Sequence, residues 1–162
     1  MENKIINYYK KQNMKKDIKL VCFDCFDTIL HRYIHTDNIK MKWAKQVCHN
    51  FQLATTETIL YQIRKESENE LSREKSIIIK EYSYRELIEQ IFEKLKFKEE
   101  ISISFKEFYQ ITLKIELDLE EENSYVDEES KVAIEYFIKN DVSIAIISDF
   151  YFSGKELVQL LH

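Results

Sequence analysis

Two periodicities run through this chain, and each predicts a different kind of element. Leu20 to Phe23 form a short apolar run that ends in Asp24, Cys25, Phe26, Asp27 and Thr28, and Val142 to Ile147 run in the same way into Ser148 and Asp149. Apolar runs of this length and β-leaning composition predict strands of a parallel sheet, buried on both faces. Elsewhere apolar residues recur at helical spacing. Residues 2–13, with Ile5, Ile6, Tyr8 and Tyr9 among polar neighbours, predict a leading amphipathic helix beside the first strand. Thr36-Asp37-Asn38 gives an N-cap signal for a helix with Ile39, Trp43 and Val47 on one face. Thr55-Thr56-Glu57 opens a further helix, with Ile59, Leu60 and Ile63 expected inside and the mixed charge from Arg64 to Lys75 outside.

Two capping boxes follow, in which a Ser side chain accepts from a backbone amide and a Glu three residues on reaches back. Ser83-Tyr84-Arg85-Glu86 precedes Leu87, Ile88, Ile91, Phe92 and Leu95, and Ser104-Phe105-Lys106-Glu107 precedes Phe108, Ile111 and Ile115. The acids from Asp118 to Glu122 are consecutive, so they point around the helix and are expected at its solvated end. Asp127 predicts the cap of a helix with Ala133, Ile134, Phe137 and Ile138 inside, and Asn140-Asp141 turns the chain into the second strand. Ser153-Gly154-Lys155 begins a last helical turn.

Composition narrows this picture. The chain of 162 residues fits one domain, or a core with an insertion, and 44% hydrophobic residues are ample for a packed interior. One Gly and no Pro are few for the strand-to-helix turns of a complete α/β enzyme, so most of the chain is expected to be helical. A net charge of -5 argues against nucleic acid as the main partner. Lys10, Lys11, Lys15 and Lys16 are expected on a solvated helix face. No run is long enough to span a membrane and the opening lacks a signal-peptide core, so a cytoplasmic location is expected. Three cysteines suit a reducing compartment. Cys22 and Cys25 have C-x-x-C spacing with Cys48 and His49 downstream, but no second pair completes a zinc site, and Cys22 belongs to a strand expected to be buried. His31, His35 and His49 lack ligand spacing and are taken as structural or solvated.

The chemistry-bearing residues gather at the two strand ends. Ligands of open α/β sheets bind just beyond such ends, which puts Asp24 and Asp27, and Ser148 on the second strand, where a site is expected. The alternative is two acids in an ordinary strand-to-loop turn. A carboxylate nucleophile beside a phosphate-holding hydroxyl suits phosphoryl transfer, which depends mainly on positioning and charge stabilisation. Arg32, a few residues on, is either a clamp for an anionic substrate or a surface Arg near a loop.

Phe23-Asp24-Cys25-Phe26-Asp27-Thr28-Ile29-Leu30 and Ile146-Ile147-Ser148-Asp149-Phe150-Tyr151 together resemble motifs one and two of the haloacid dehalogenase-like (HAD) superfamily. The resemblance implies that Asp24 attacks phosphorus, that Ser148 binds the phosphoryl group, that Thr28 is the motif-one Thr, and that Mg2+ is held by Asp24 and the Phe26 carbonyl. The usual motif is Asp-x-Asp-x-Thr with the second Asp as acid and base. Here Phe26 stands at that place and the acid comes one step later at Asp27, as in a HAD subgroup with Asp-x-Phe-Asp-Thr; Asp27 is then an alternative proton carrier or a loop-fixing residue. The implied fold is α/β, an incomplete HAD-like Rossmannoid core of the two motif-bearing strands with a helical cap inserted after motif one. Residues 1–32 and 125–162 are assigned to the core and 33–124 to the cap.

The family also uses a later Lys and a later pair of acids. No strand after His162 carries them, and Lys155 lies too close to motif two. The chain is therefore expected to be a fragment or a shortened product, with little or no activity alone. Two functions follow: a Mg2+-dependent phosphohydrolase acting on a small phosphorylated substrate, or a non-catalytic helical interaction module derived from one. A homodimer, or association with a missing C-terminal part, is expected to cover the open sheet.

Overall fold

The computed structural model describes residues 3–76, 81–97 and 101–161, and of Lys15, Lys75 and Ser76 the backbone alone. The expected exposure of the Lys15 and Lys75 side chains, and the parts of the helical stretch at 77–80 and 98–100, lie outside the described residues. Among those residues the fold is mixed α/β and mostly helical, with seven helices and four short strands paired into two two-stranded sheets. The chain divides into two compact units, Met1–Tyr33 with Ser124–Phe150 and Ile34–Asn123 with Tyr151–His162.

The first unit holds the strands. β1 (Leu20–Asp24) pairs in parallel with β4 (Ser143–Ile147), Leu20 opposite Ser143 and Asp24 opposite Ile147. β2 (Leu30–Arg32) and β3 (Ser124–Val126) form an antiparallel ribbon that the sequence pattern did not predict, because three-residue strands are too short to show a period. α1 (Lys4–Lys16) and α6 (Glu128–Lys139) complete the unit. Asn3 caps α1 by accepting from the Ile6 amide, and Asp127 caps α6 by accepting from the Ser130 amide at 2.7 Å. α1 packs against α6, with the Tyr9 ring edge-on to Phe137 at 4.9 Å; Phe137 in turn meets Phe23 at 6.0 Å.

The expectation that both strands are covered on both faces is corrected. Of β1 only Phe23 is buried, and Leu20, Ile146 and Ile147 are exposed. Successive strand residues point to opposite faces, so Phe23 turns to the core while Cys22 and Asp24 turn away. Cys22 is accordingly exposed, and Cys25 is the buried thiol. On α6, Ala133 and Phe137 are buried but Ile138 is 64% exposed, so the inward stripe is narrower than expected.

The second unit is helical: α2 (Thr36–Phe51), α3 (Glu57–Ser76), α4 (Tyr84–Phe97), α5 (Phe105–Asn123) and α7 (Gly154–Leu160). α2 packs on α3 and α5, and α4 on the same two. The cap of α2 lies one residue before the expected Thr36, because His35 Nδ1 accepts from the Asp37 amide at 3.2 Å. The Ser83 box is closed in both directions by Glu86, and Ser104 accepts from the Glu107 amide. Ser153 and Glu156 make another capping box at α7. Trp43, Leu60, Leu87, Ile88, Ile91, Leu95 and Phe108 are sealed from solvent.

Two expectations fail inside this unit. Ile59 is exposed, whereas Arg64, Ser67 and Glu68, assigned to the outer face of α3, are buried. Glu120, within the run expected to be solvated, is buried together with Thr112 and Glu116. Spacings of four keep these three on one inner stripe of α5. Charge is tolerated there because Arg64 forks onto Glu116 at 2.6 and 2.8 Å, donates from Nε to Glu68 at 3.0 Å, and lies 4.7 Å from the Trp43 ring. The Tyr151 hydroxyl donates to Glu116 at 2.7 Å, and the Tyr84 amide donates to the Tyr151 carbonyl at 2.9 Å. These bonds set 151–162 in the helical unit, a segment the sequence reading assigned to the core.

Candidate functional site

Asp24 closes β1 and Ile147 closes β4, and the parallel ladder continues one step further through the Cys25 amide, which donates to the Ile147 carbonyl at 3.0 Å. Asp24 and Ser148 therefore leave the sheet at neighbouring strand ends. They line one open cleft of ≈ 430 Å³ together with Cys22, Phe23, Ile147 and Asp149. Asp24 Oδ1 accepts from the Cys25 amide at 2.9 Å, and Ser148 Oγ accepts from the Phe150 amide at 3.1 Å. Each side chain is thus steadied by the backbone of the loop that follows it.

The loop after β1 is a tight turn. The Ile29 and Leu30 amides both donate to the Cys25 carbonyl at 2.9 Å, and the Asp27 amide donates to the Leu30 carbonyl at 2.8 Å. Asp27 takes the left-handed conformation, φ 58, which Asp tolerates better than most residues with a Cβ. Its exposed side chain is not among those lining the cleft, and neither are Thr28, Phe26 and Arg32. The Thr28 carbonyl accepts from the Ser130 hydroxyl at 2.9 Å, fastening the turn to α6.

Arg32, expected as an anion clamp or a surface residue, lies with its guanidinium 4.2 Å from the Phe26 ring centroid and 5.2 Å from that of Phe150. The two rings are 4.5 Å apart. Asp149 was expected from sequence as the acid at the tip of the second strand, whereas the meeting of Phe26 and Phe150 was not; an aromatic two residues beyond each strand-end polar residue was the available signal. Burial pushes the Cys25 thiol up, with Asp24 adding and Arg32 opposing, so this cysteine is held as an inert thiol.

Mg2+ wants about six oxygen ligands in a near-octahedral arrangement and keeps several waters. Of the two expected holders Asp24 lines the cleft and Phe26 does not, while Asp149 brings a second carboxylate to it. Among the described residues no group of three or more His, Cys, Asp or Glu side chains could hold a metal ion. The donor set is partial. No described helix is long and apolar enough to cross a membrane. No family model matches the chain, and no curated protein matches it.

Proposed function

We propose that the strand unit carries a phosphoryl-binding site of the HAD type, with Asp24 as nucleophile and Ser148 as phosphoryl ligand. The observation that supports this most is the parallel pairing of β1 and β4, which brings a carboxylate and a hydroxyl to one cleft at adjacent strand ends. In this reading Asp24 attacks phosphorus of a small phosphate ester, the bond to the leaving oxygen breaks, and that oxygen takes a proton from solvent water. Water then attacks phosphorus and frees Asp24. The Ser148 hydroxyl donates to a phosphoryl oxygen throughout, and Thr28 belongs to the same proposed set. Bound Mg2+ would neutralise phosphoryl charge, with Asp24 and the Phe26 carbonyl as its proposed holders. A reducing, cytoplasmic setting belongs to the same proposal, supported by three free cysteines.

Turnover by these 162 residues alone is proposed to be little above background. Phe26 replaces the acid that would protonate the leaving group, and Asp27, the next acid, sits in the turn with its side chain outside the cleft lining. Among the described residues no Lys lines the cleft, and one missing electrostatic group costs ~10² to 10³ in rate. The exposed Leu20, Ile146 and Ile147 favour a second reading, a non-catalytic module whose open strands bind a partner, a second copy included.

The test is phosphate binding by the purified chain with Mg2+, followed by phosphorus NMR, beside an assay with a generic phosphate ester. The first reading expects binding, weakened about tenfold by Ser148→Ala through loss of a hydrogen bond to a charged group, with hydrolysis at background. Absence of binding in the parent protein sinks it and leaves the interaction module. Robust hydrolysis abolished by Asp24→Asn shows a self-sufficient enzyme.

A further inference from the structure

Phe26 stands two residues after Asp24, and Phe150 two residues after Ser148. The two rings meet at 4.5 Å and 49° and share one guanidinium, that of Arg32, which belongs to β2 and is held in register opposite Ser124 of β3. The backbone amides beside these rings make the bonds that steady the site: Cys25 to Asp24 Oδ1, and Phe150 to Ser148 Oγ. Phe26 is nearly buried and is bridged to Leu30, so the stack is tied into the turn from both sides.

We propose that Arg32 is a positioning residue for the cleft: its guanidinium clamps the Phe26 and Phe150 rings together and so fixes the spacing of the two loops that present Asp24 and Ser148. What the cleft holds at that spacing rests on the phosphoryl reading above; the clamp itself does not. A planar guanidinium lies against ring faces in a way that a Lys ammonium, a compact and strongly hydrated charge, does not reproduce. Direct contact with an anion would also be weakened by Lys, since the bidentate fork is lost, but it would leave the ring pair and its flanking amides in place. The clamp also accounts for Phe at the place where the HAD pattern implies an acid. A carboxylate there would forfeit the ring pair that joins the two loops.

The experiment compares the full chain with Arg32→Lys and Arg32→Ala, using backbone amide NMR and inorganic phosphate with Mg2+ as the probe. Without any phosphate, both variants are expected to shift the Cys25 and Phe150 amide resonances together while amides of α4 and α5 stay in place. With phosphate, Arg32→Lys is expected to lose about as much affinity as Arg32→Ala, roughly five- to tenfold, the scale of a partly buried cation–π contact. If the Cys25 and Phe150 amides stay put in Arg32→Lys while phosphate affinity falls in either variant, the guanidinium acts on the anion and the positioning role is overturned. If the two amides move but the parent protein binds no phosphate, the clamp stands and the phosphoryl reading fails. Should Arg32→Ala not fold, the same resonances in Arg32→Lys decide, since that variant keeps both charge and bulk.

Discussion

The two units bury charge and apolar surface in opposite ways. In the helical unit Arg64 and Glu116 are sealed from solvent, every nitrogen of the guanidinium is bonded, and Trp43, Leu60 and Phe108 are buried as fully. In the strand unit the aromatic core of Tyr9, Phe23 and Phe137 is small, while apolar strand residues such as Leu20 and Ile147 face water. An interior that closes over an ion pair is committed to one arrangement, because a lone buried charge is costly. A two-stranded sheet with exposed apolar side chains is only marginally stable by itself and offers surface for further packing. The helical unit is therefore expected to be the rigid body of this chain, and the strand unit the part whose stability responds to what binds it.

The largest expected effect breaks the helical unit. Glu116→Ala leaves Arg64 buried against a cavity, and removing one partner of a buried pair costs about 3 to 5 kcal/mol. Urea unfolding should show a correspondingly lower midpoint. The double variant Arg64→Met with Glu116→Leu removes both charges and should recover most of the loss. A Glu116→Ala midpoint equal to that of the parent would mean the pair is not the lock described.

The units should also part at opposite ends of the pH scale. Burial, with the Glu116 carboxylate nearby, holds the Tyr84 and Tyr151 phenols well above the ordinary value, and burial with Glu68 pushes Tyr82 up to about 12. A raised value in the folded state favours the neutral phenol. The stability it contributes is full below about pH 10, the unfolded value, and is lost as pH rises through the folded values. In the strand unit the Ser130 amide holds the Asp127 carboxyl below its usual range. That contribution is present above about pH 4 and is lost as pH falls through the lowered value. Asp127 is half-buried, and an N-cap of this kind is worth about 1 kcal/mol. Tyrosinate absorbance rising together with loss of helical signal above pH 10, and early loss of α6 amide protection in acid, are the expected outcomes.

In each unit part of this contrast was legible beforehand and part was not. The helix starts at Glu57, Tyr84 and Phe105 follow from side-chain caps that act within three residues, and the apolar stripe from Leu87 to Leu95 follows from local period. Arg64 and Glu116 could not be placed, since they are 52 positions apart and composition alone puts Arg and Glu outside. The strand ends bearing Asp24 and Ser148 were legible because an apolar run stopping at a polar residue is a local signal. The exposure of those strands was not, because covering a sheet face depends on other elements. Nor was the Arg32 stack, whose rings come from loops more than a hundred residues apart.

The smallest expected effect is the sharpest test of the open sheet. Leu20 lies at the start of β1, 52% exposed and opposite Ser143, whereas Phe23, three residues on, is 4% exposed and packs on Phe137. If the sheet face is bare in solution, Leu20→Thr removes little buried area and places a β-branched residue, well suited to a strand, at that position, so stability should change by less than about 0.5 kcal/mol. Phe23→Ala, by contrast, opens a cavity in the small aromatic core and should cost about 3 to 5 kcal/mol. The gap between the two measures how one-sided the sheet is. Unfolding at several protein concentrations makes the measurement decisive, because a second copy covering Leu20 would make the midpoint rise with concentration and would make Leu20→Thr abolish that rise. A midpoint independent of concentration, with Leu20→Thr neutral, leaves the face open. A concentration-dependent midpoint that Leu20→Thr flattens assigns the face to self-association, and the contrast drawn between the units then belongs to the lone chain and not to its assembled form.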